Sequence, residues 1–173
     1  MSTSTDSLFI SSIAPAAQMS LGYALLLATD IPEDRWADSV VTGMNHPAFL
    51  YGHLGSYSNR ILAGFLGRED LVTELPYDGE LVKAGAECLD DPSLYPGRDV
   101  VLPYFQQGYE TVIGVLPEIS PDVLAAENPA EGRFREMLPT VGAAVNFMLN
   151  NHVMMHAGQI SHWRRAIGLG PVM

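Results

Sequence analysis

The stretch NNHVMMHAGQISHWRR, residues 150–165, places two histidines four residues apart within an apolar helical pattern. At about 100° per residue, His152 and His156 differ by about 40° around a helix and about 6 Å along it, so both rings can reach one point. Two imidazoles at this spacing can share a metal ion, but a transition metal normally takes three or four protein ligands. The stretch therefore predicts a helix and requires a third ligand from elsewhere in the chain.

The helix that contains this stretch is expected to run from about Thr140 to Ile167. Basic residues in its last turn, Gly168 after it and Pro171 beyond are ordinary C-terminal signals. Its apolar face consists of Val145, Leu149, His152, His156, Ile160 and Trp163. Because the histidines lie in the middle of this face, we expect both rings to point into the protein core.

Three further amphipathic segments precede this helix, and we find no strand-like alternation. The first predicted helix runs from Ser12 to Ala28 and the third from Asp99 to Leu116. The second is capped by Asn45 or His46, has Pro47 in its first turn and ends at Leu66. Long connections at 67–98 and 117–139 separate the last three helices. The pattern predicts an all-α four-helix bundle with long loops between helices 2 and 3 and between helices 3 and 4, in a single domain over residues 1–173.

The candidate third ligand is His53, which lies on the apolar face of the second predicted helix with Phe49, Leu50, Leu54 and Tyr57. Inward histidines from two helices can meet inside a bundle, where metal sites are commonly built. One ion would satisfy three ring nitrogens that otherwise each carry a desolvation cost of a few kcal/mol. The alternative is that each histidine is a hydrogen-bonded core residue. Three imidazoles suit zinc, nickel, iron or copper.

The other two histidines are not expected to be ligands. Pro47 makes His46 a cap or loop residue, and His162 lies roughly 80° off the inward face of its helix. The pair His152 and His156 lacks the intervening glutamate of a H-E-x-x-H peptidase motif. No glutamate in the chain has a histidine three residues later, as carboxylate-bridged di-iron bundles require.

Two stretches resemble the DinB-like superfamily of four-helix-bundle metal proteins: FLYGHLGSYSNRIL (49–62) and NHVMMHAGQISHWRRAIGLG (151–170). The resemblance covers about Ser12 to Gly170 and implies a metal triad of His53, His152 and His156. It also implies a divalent metal, often zinc or nickel, with open positions for water or substrate. Several branches of this superfamily are thiol-dependent: they transfer bacillithiol, mycothiol or glutathione to electrophiles, or isomerise maleylpyruvate.

We therefore expect a metal-dependent enzyme, a thiol S-transferase, hydrolase or isomerase, in which the ion lowers the pKa of a bound thiol or water. The small-molecule substrate would act with a low-molecular-weight thiol. Gln159 could support a ligand, or it could be a surface polar residue. Tyr57 could act as an acid, or it could be a packed core residue. Arg164 could bind a substrate carboxylate, or it could interact with the helix dipole. The competing hypothesis is a non-catalytic metal-binding or ligand-binding bundle protein.

Composition limits the partners. A net charge of −11 with only 9 Lys and Arg residues argues against nucleic acid. The apolar run LGYALLLA (21–28) is far shorter than the roughly 20 residues that span a bilayer, and no basic residue precedes Arg35, so we expect a cytoplasmic protein without a membrane segment.

Two further expectations concern cysteine and assembly. Cys88 is the only cysteine, and its acidic surroundings should raise its pKa, so we interpret it as a half-buried structural residue. The Met-rich segments FMLNN and VMM supply more apolar surface than four helix faces need, which indicates a homodimer.

Overall fold

The computed structural model describes the backbone of residues 5–172 and the side chains of residues 9–172, and this part of the chain is helical without β-strands. The helices are α1 (Thr5–Ala28), α2 (Pro47–Gly64), α3 (Arg98–Val115), α4 (Pro121–Ala125), α5 (Arg133–Met137), α6 (Val141–Asn146) and α7 (Val153–Ala166). Short 3₁₀ turns lie at Glu33–Arg35, Glu69–Leu71, Gly79–Leu81, Pro92–Leu94 and Leu116–Glu118. The predicted all-α class is confirmed.

The last two α-helices form one continuous helix, because a π-helical segment, Phe147–His152, joins α6 to α7. We call residues 141–166 the C-terminal helix. Its start is capped by Thr140, whose hydroxyl accepts a hydrogen bond from the Ala143 amide. The π-helical segment is not apparent in the sequence pattern, and it ends at His152, one of the two candidate metal ligands on this helix. Such segments are frequently found at functional sites.

The start of α1 differs most from its predicted position. The helix begins at Thr5 rather than Ser12, so Pro15, which would lie near the start of the predicted helix, lies in its interior. A proline in a helix interior removes one hydrogen bond. Ile13 and Ala17, on either side of this proline, are both buried in the core. We attribute the continuity of the helix to this burial.

The long helices are arranged so that α2 packs most extensively on α3, and α1 on the C-terminal helix. α1 also contacts α3, and α2 contacts α7, so each long helix has two neighbours. A metal site shared by His53, His152 and His156 requires the apolar faces of α2 and the C-terminal helix to meet. They do meet along one seam, but the larger interfaces are those with α3 and α1. Buried side chains from all four form one core, and a single domain over 1–173 stays a prediction.

One stretch of α1, Phe9–Ala28, is long and apolar enough to cross a membrane, judged by length and composition alone. The apolar run at residues 21–28 is therefore only part of a longer apolar helix. The stretch is partly buried against the rest of the bundle, with Ala17, Leu21 and Ala24 in the core. Core helices of water-soluble proteins meet the same criterion.

The end of the C-terminal helix is fixed to the end of α1 by Arg164, which is 1% exposed. Its guanidinium donates hydrogen bonds to the Asp30 carboxylate, to the Leu27 carbonyl at 2.7 Å and to the Gly170 carbonyl at 3.2 Å. We call these four residues the Arg164 clasp. The suggestion that Arg164 binds a substrate carboxylate is wrong, because its head group is already occupied by the protein's own groups.

The connection at residues 67–98, which we call the 67–98 segment, packs over α2. The Tyr77 hydroxyl donates to the Gly52 carbonyl at 2.7 Å, and the Asn59 side chain exchanges hydrogen bonds with the backbone of Thr73. Glycine makes this approach possible: a Cβ at Gly55 would lie 2.5 Å from the Tyr77 hydroxyl oxygen. The segment is therefore docked on the same helix that carries His53.

Candidate metal centre

His53, His152 and His156 meet where α2 faces the C-terminal helix. The Nε2 atom of His152 lies 3.1 Å from Nε2 of His53 and 3.0 Å from Nε2 of His156. His53 and His152 are buried and His156 is half-buried. These are the residues that the sequence selected, and in the described part of the chain they form the group that could hold a metal ion.

The two outer rings are held by hydrogen bonds through their other nitrogens. Nδ1–H of His53 donates to the Val82 carbonyl at 2.7 Å, and Nδ1–H of His156 donates to Oε1 of Gln159 at 2.8 Å. Since carbonyl oxygens only accept, Nδ1 of His53 carries the proton, and so does Nδ1 of His156 in the amide orientation that turns Oε1 of Gln159 towards the ring. Partners of this kind fix the tautomer and orientation of metal-binding histidines.

This arrangement leaves unprotonated nitrogens facing each other. A neutral imidazole has one N–H, and His53 and His156 both use theirs at Nδ1, so their Nε2 lone pairs point at Nε2 of His152. One proton on His152 cannot serve both lone pairs well. A cation can, because a tetrahedral ion at 2.0–2.1 Å from each nitrogen spaces its ligands about 3.3–3.4 Å apart. The two distances from Nε2 of His152, 3.1 and 3.0 Å, are close to that spacing.

The environment keeps all three rings neutral at pH 7. Burial is the main cause that lowers the pKa of His53 and of His156. Burial, with the two neighbouring histidines and Arg60 adding to it, lowers the pKa of His152 to about 3. Neutral imidazole is the form that binds a metal, so no proton has to be removed near neutral pH. Nδ1 of His152 is buried without a hydrogen-bond partner among the described residues.

Aromatic side chains surround the three histidines. The Tyr57 ring lies 4.5 Å from that of His152 and 4.9 Å from that of His53, measured between centroids. The rings of Phe147 and His152 are stacked at 6.3 Å, as are those of Phe49 and His53. Tyr57 is half-buried, and its hydroxyl forms no hydrogen bond within the described chain. The site thus has an apolar wall with one phenol.

The remaining histidines lie outside the centre, as expected. His46 caps α2: its Nδ1 accepts a hydrogen bond from the Phe49 amide at 3.1 Å, and its ring is fully buried. His162 is exposed on the C-terminal helix. Gln159, expected either to support a ligand or to be a surface polar residue, supports His156.

Cys88 is half-buried with a raised pKa, in agreement with its interpretation as a structural residue. The main cause of this raised pKa is burial, however, and the acidic neighbours that the sequence suggested contribute less.

The sequence did not indicate Val82. Its contribution is a backbone carbonyl, and such a group has no residue-type signature. The available signal was the pair Gly52 and Gly55 on either side of His53. A Cβ at Gly52 would come within 3.0 Å of the Val82 side chain, and glycine pairs of this kind mark a close approach of another segment.

A helical bundle with three histidines converging on one point defines a candidate metal-binding bundle protein. The sequence model of the DinB superfamily matches residues 18–160, a range that includes all three histidines, and the chain belongs to this superfamily. No curated protein and no solved structure gave a significant match to the chain.

Proposed function

We propose that this protein is a metal-dependent enzyme of the DinB superfamily that binds one divalent ion through His53, His152 and His156. The observation that carries the proposal is the convergence of three Nε2 atoms, two of which are left unprotonated by hydrogen bonds at Nδ1. Zinc or nickel is the ion that we expect. Membership of the superfamily supports divalent metal binding independently of the geometry.

An open coordination position is the second part of the proposal. Among the described residues, no further His, Cys, Asp or Glu joins the three histidines. A structural zinc site normally has four protein ligands, whereas a catalytic site has three and keeps one position for water or substrate. The absence of a fourth ligand favours an enzyme over the alternative, a non-catalytic metal-binding or ligand-binding bundle.

A divalent ion in such a site would lower the pKa of a bound thiol or water and so provide a nucleophile near neutral pH. The chain's own residues have supporting roles. Val82 and Gln159 hold the outer rings in place, and the aromatic wall of Tyr57 and Phe147 limits access of water. The Tyr57 ring lies 4.5 Å from that of His152 between centroids, and its hydroxyl is the group that we propose exchanges a proton with a bound molecule. We propose thiol transfer to a small electrophile as the reaction, with hydrolysis or isomerisation as related possibilities.

The first experiment measures metal content in protein purified without a histidine tag. We expect about one equivalent of divalent metal in the wild type, and its loss in His152→Ala and in His156→Ala. His162→Ala is the matched control, since this histidine lies on the same helix but outside the centre, and it should retain the metal. Full occupancy in His152→Ala, or an empty site in His162→Ala, would contradict the assignment.

The second experiment tests catalysis in the metal-loaded protein. Thiol transfer from glutathione, bacillithiol or mycothiol to an aryl halide is followed by absorbance, with His156→Ala as the inactive reference. Metal binding without activity towards any of these thiols, together with a fourth protein ligand detected by X-ray absorption, would favour the non-catalytic alternative.

A further inference from the structure

Arg60 differs from most basic residues of this protein. Six of the nine Lys and Arg side chains form an ion pair with a carboxylate. Within the described part of the chain, Arg60 forms neither an ion pair nor a hydrogen bond, and its recorded contact is with an aromatic ring. Arg60 is exposed, so its guanidinium donors are accessible to a ligand from solution.

The position of Arg60 connects it to the metal centre. Its Cζ atom lies 5.5 Å from the centroid of the Tyr57 ring, an arrangement typical of a cation–π contact. The same Tyr57 ring packs against His152 and His53. One aromatic side chain therefore contacts both the guanidinium and two of the three histidines. The positive charge is near enough to contribute to the lowered pKa of His152.

No described carboxylate offsets this positive charge at the centre. Among the described residues, the cluster of potential metal-binding groups at this point consists of the three histidines, and no Asp or Glu oxygen joins them. Three neutral ligands would also leave the full charge of a divalent ion in place. The centre is thus a positive region of a protein with a net charge of −11, and such a region attracts anions.

We propose that Arg60 binds the carboxylate of a small anionic molecule whose other end reaches the three-histidine site. This inference rests on the proposed function and specifies its substrate class: a thiol or substrate that carries a carboxylate. The planar guanidinium can bind both oxygens of a carboxylate through parallel hydrogen bonds. Contact with Tyr57 orients the guanidinium beside the site while leaving its donors free for a ligand.

The test uses protein loaded with cobalt(II), which reports thiol binding through a sulfur-to-metal absorption band. Two thiols of similar size are titrated, 3-mercaptopropionate with a carboxylate and 2-mercaptoethanol without one. Mercaptoacetate and 4-mercaptobutyrate extend the series, because a flexible arginine tolerates more than one spacing. The measured quantity is the ratio of the dissociation constant of 2-mercaptoethanol to that of each mercaptocarboxylate.

We expect Arg60→Gln to lower this ratio about tenfold for the best mercaptocarboxylate, which corresponds to the loss of one charge-assisted hydrogen-bonded contact. Arg60→Lys should retain part of the preference, because it keeps the charge but not the planar pair of donors. Arg133→Gln is the matched control: it removes an unpaired basic residue from α5, and it should leave the ratio unchanged. Cobalt content should be the same in all four proteins.

The outcomes separate the two proposals. Failure of the wild type to bind cobalt would overturn the proposed function and this inference with it. Full cobalt occupancy with an unchanged ratio in Arg60→Gln, or with an equal decrease in Arg133→Gln, would overturn the inference alone. Full cobalt occupancy with no thiol band for any ligand would overturn thiol transfer as the reaction, and this inference with it. Loss of cobalt in Arg60→Gln would show that Arg60 maintains the site itself, and that result would also contradict a role in ligand binding.

Discussion

At the residue scale, His46 caps α2 through a ring nitrogen that can accept a hydrogen bond only while the ring is neutral. Its Nδ1 accepts the hydrogen bond that caps α2, and its Nε2 faces the Leu89 carbonyl at 3.4 Å. A doubly protonated ring cannot accept the amide of Phe49. Burial lowers the pKa of His46, which is the direction that this arrangement needs. The start of the helix that carries His53 therefore depends on a single neutral imidazole.

We predict that His46 makes the protein less stable in mild acid. Its folded-state pKa lies below its unfolded value of about 6.5, so its contribution is complete above that pH and is lost as the pH falls towards the folded-state pKa. The slope from one such group is at most about 1.4 kcal/mol per pH unit. Urea unfolding of the metal-free protein from pH 7 to pH 5 measures the total slope, to which the other histidines with lowered pKa also contribute, and comparison with a His46 variant isolates the share of His46. His46→Asn, which retains a capping side chain, should have a shallower slope than the wild type, and an equal slope would disprove the prediction.

At the element scale, the 67–98 segment belongs to the metal centre as well as to the connection between two helices. Its Val82 carbonyl holds His53, and its Tyr77 is docked on the backbone of α2. Loss of an outer hydrogen-bond partner typically lowers metal affinity 10- to 100-fold. The docking of this segment and the affinity of the site should therefore change together.

We predict that Gly55→Ala weakens metal binding although it changes no ligand. The added Cβ would come within 2.5 Å of the Tyr77 hydroxyl and displace the segment that carries Val82. Competition with a chelator should show an affinity about tenfold lower. Gly64→Ala is the control on the same helix, since its Cβ would meet only the Arg60 side chain at 4.0 Å. If both variants bind metal like the wild type, the docked segment has no influence on the site.

The helices and the three histidines could be predicted because both follow from side-chain patterns. Pro47, Pro117 and Thr140 mark helix boundaries through backbone chemistry that any fold must respect. The inward positions of the histidines follow from helical phase. The early start of α1 was missed because Pro15 resembles a first-turn proline. The π-helical segment Phe147–His152 was missed because six residues are too few to alter the apolar periodicity.

At the scale of the whole molecule, the expected homodimer stays a prediction, as do the cytoplasmic location and the absence of nucleic-acid and membrane partners. The Met-rich segments that suggested a dimer divide between core and surface: Met148 is 2% exposed and Met155 is 60% exposed. Met19 on α1 is 68% exposed as well. Part of the apolar surface of these methionines is therefore buried in the core, and the rest is exposed and available to a second copy of the chain.

We predict that the protein is a dimer at tens of micromolar, because exposed methionines on helical surfaces can be buried between two copies. Light scattering coupled to size exclusion gives the mass directly. Met155→Glu should shift the equilibrium towards monomer if the surface of α7 is involved, whereas Met137→Glu, on the short helix α5, serves as a comparison. A wild-type mass equal to one chain would refute the dimer.

The Arg164 clasp also has a mechanical consequence. It ties the chain just beyond the C-terminal helix to the end of α1, through Gly170 on one side and Leu27 and Asp30 on the other. A pulling force applied at the C-terminus would first have to break these hydrogen bonds before it could unwind the helix that carries His152 and His156. The clasp therefore shields two of the three histidines from fraying at the end of the chain, and a tether attached after Gly170 would transmit its load to α1.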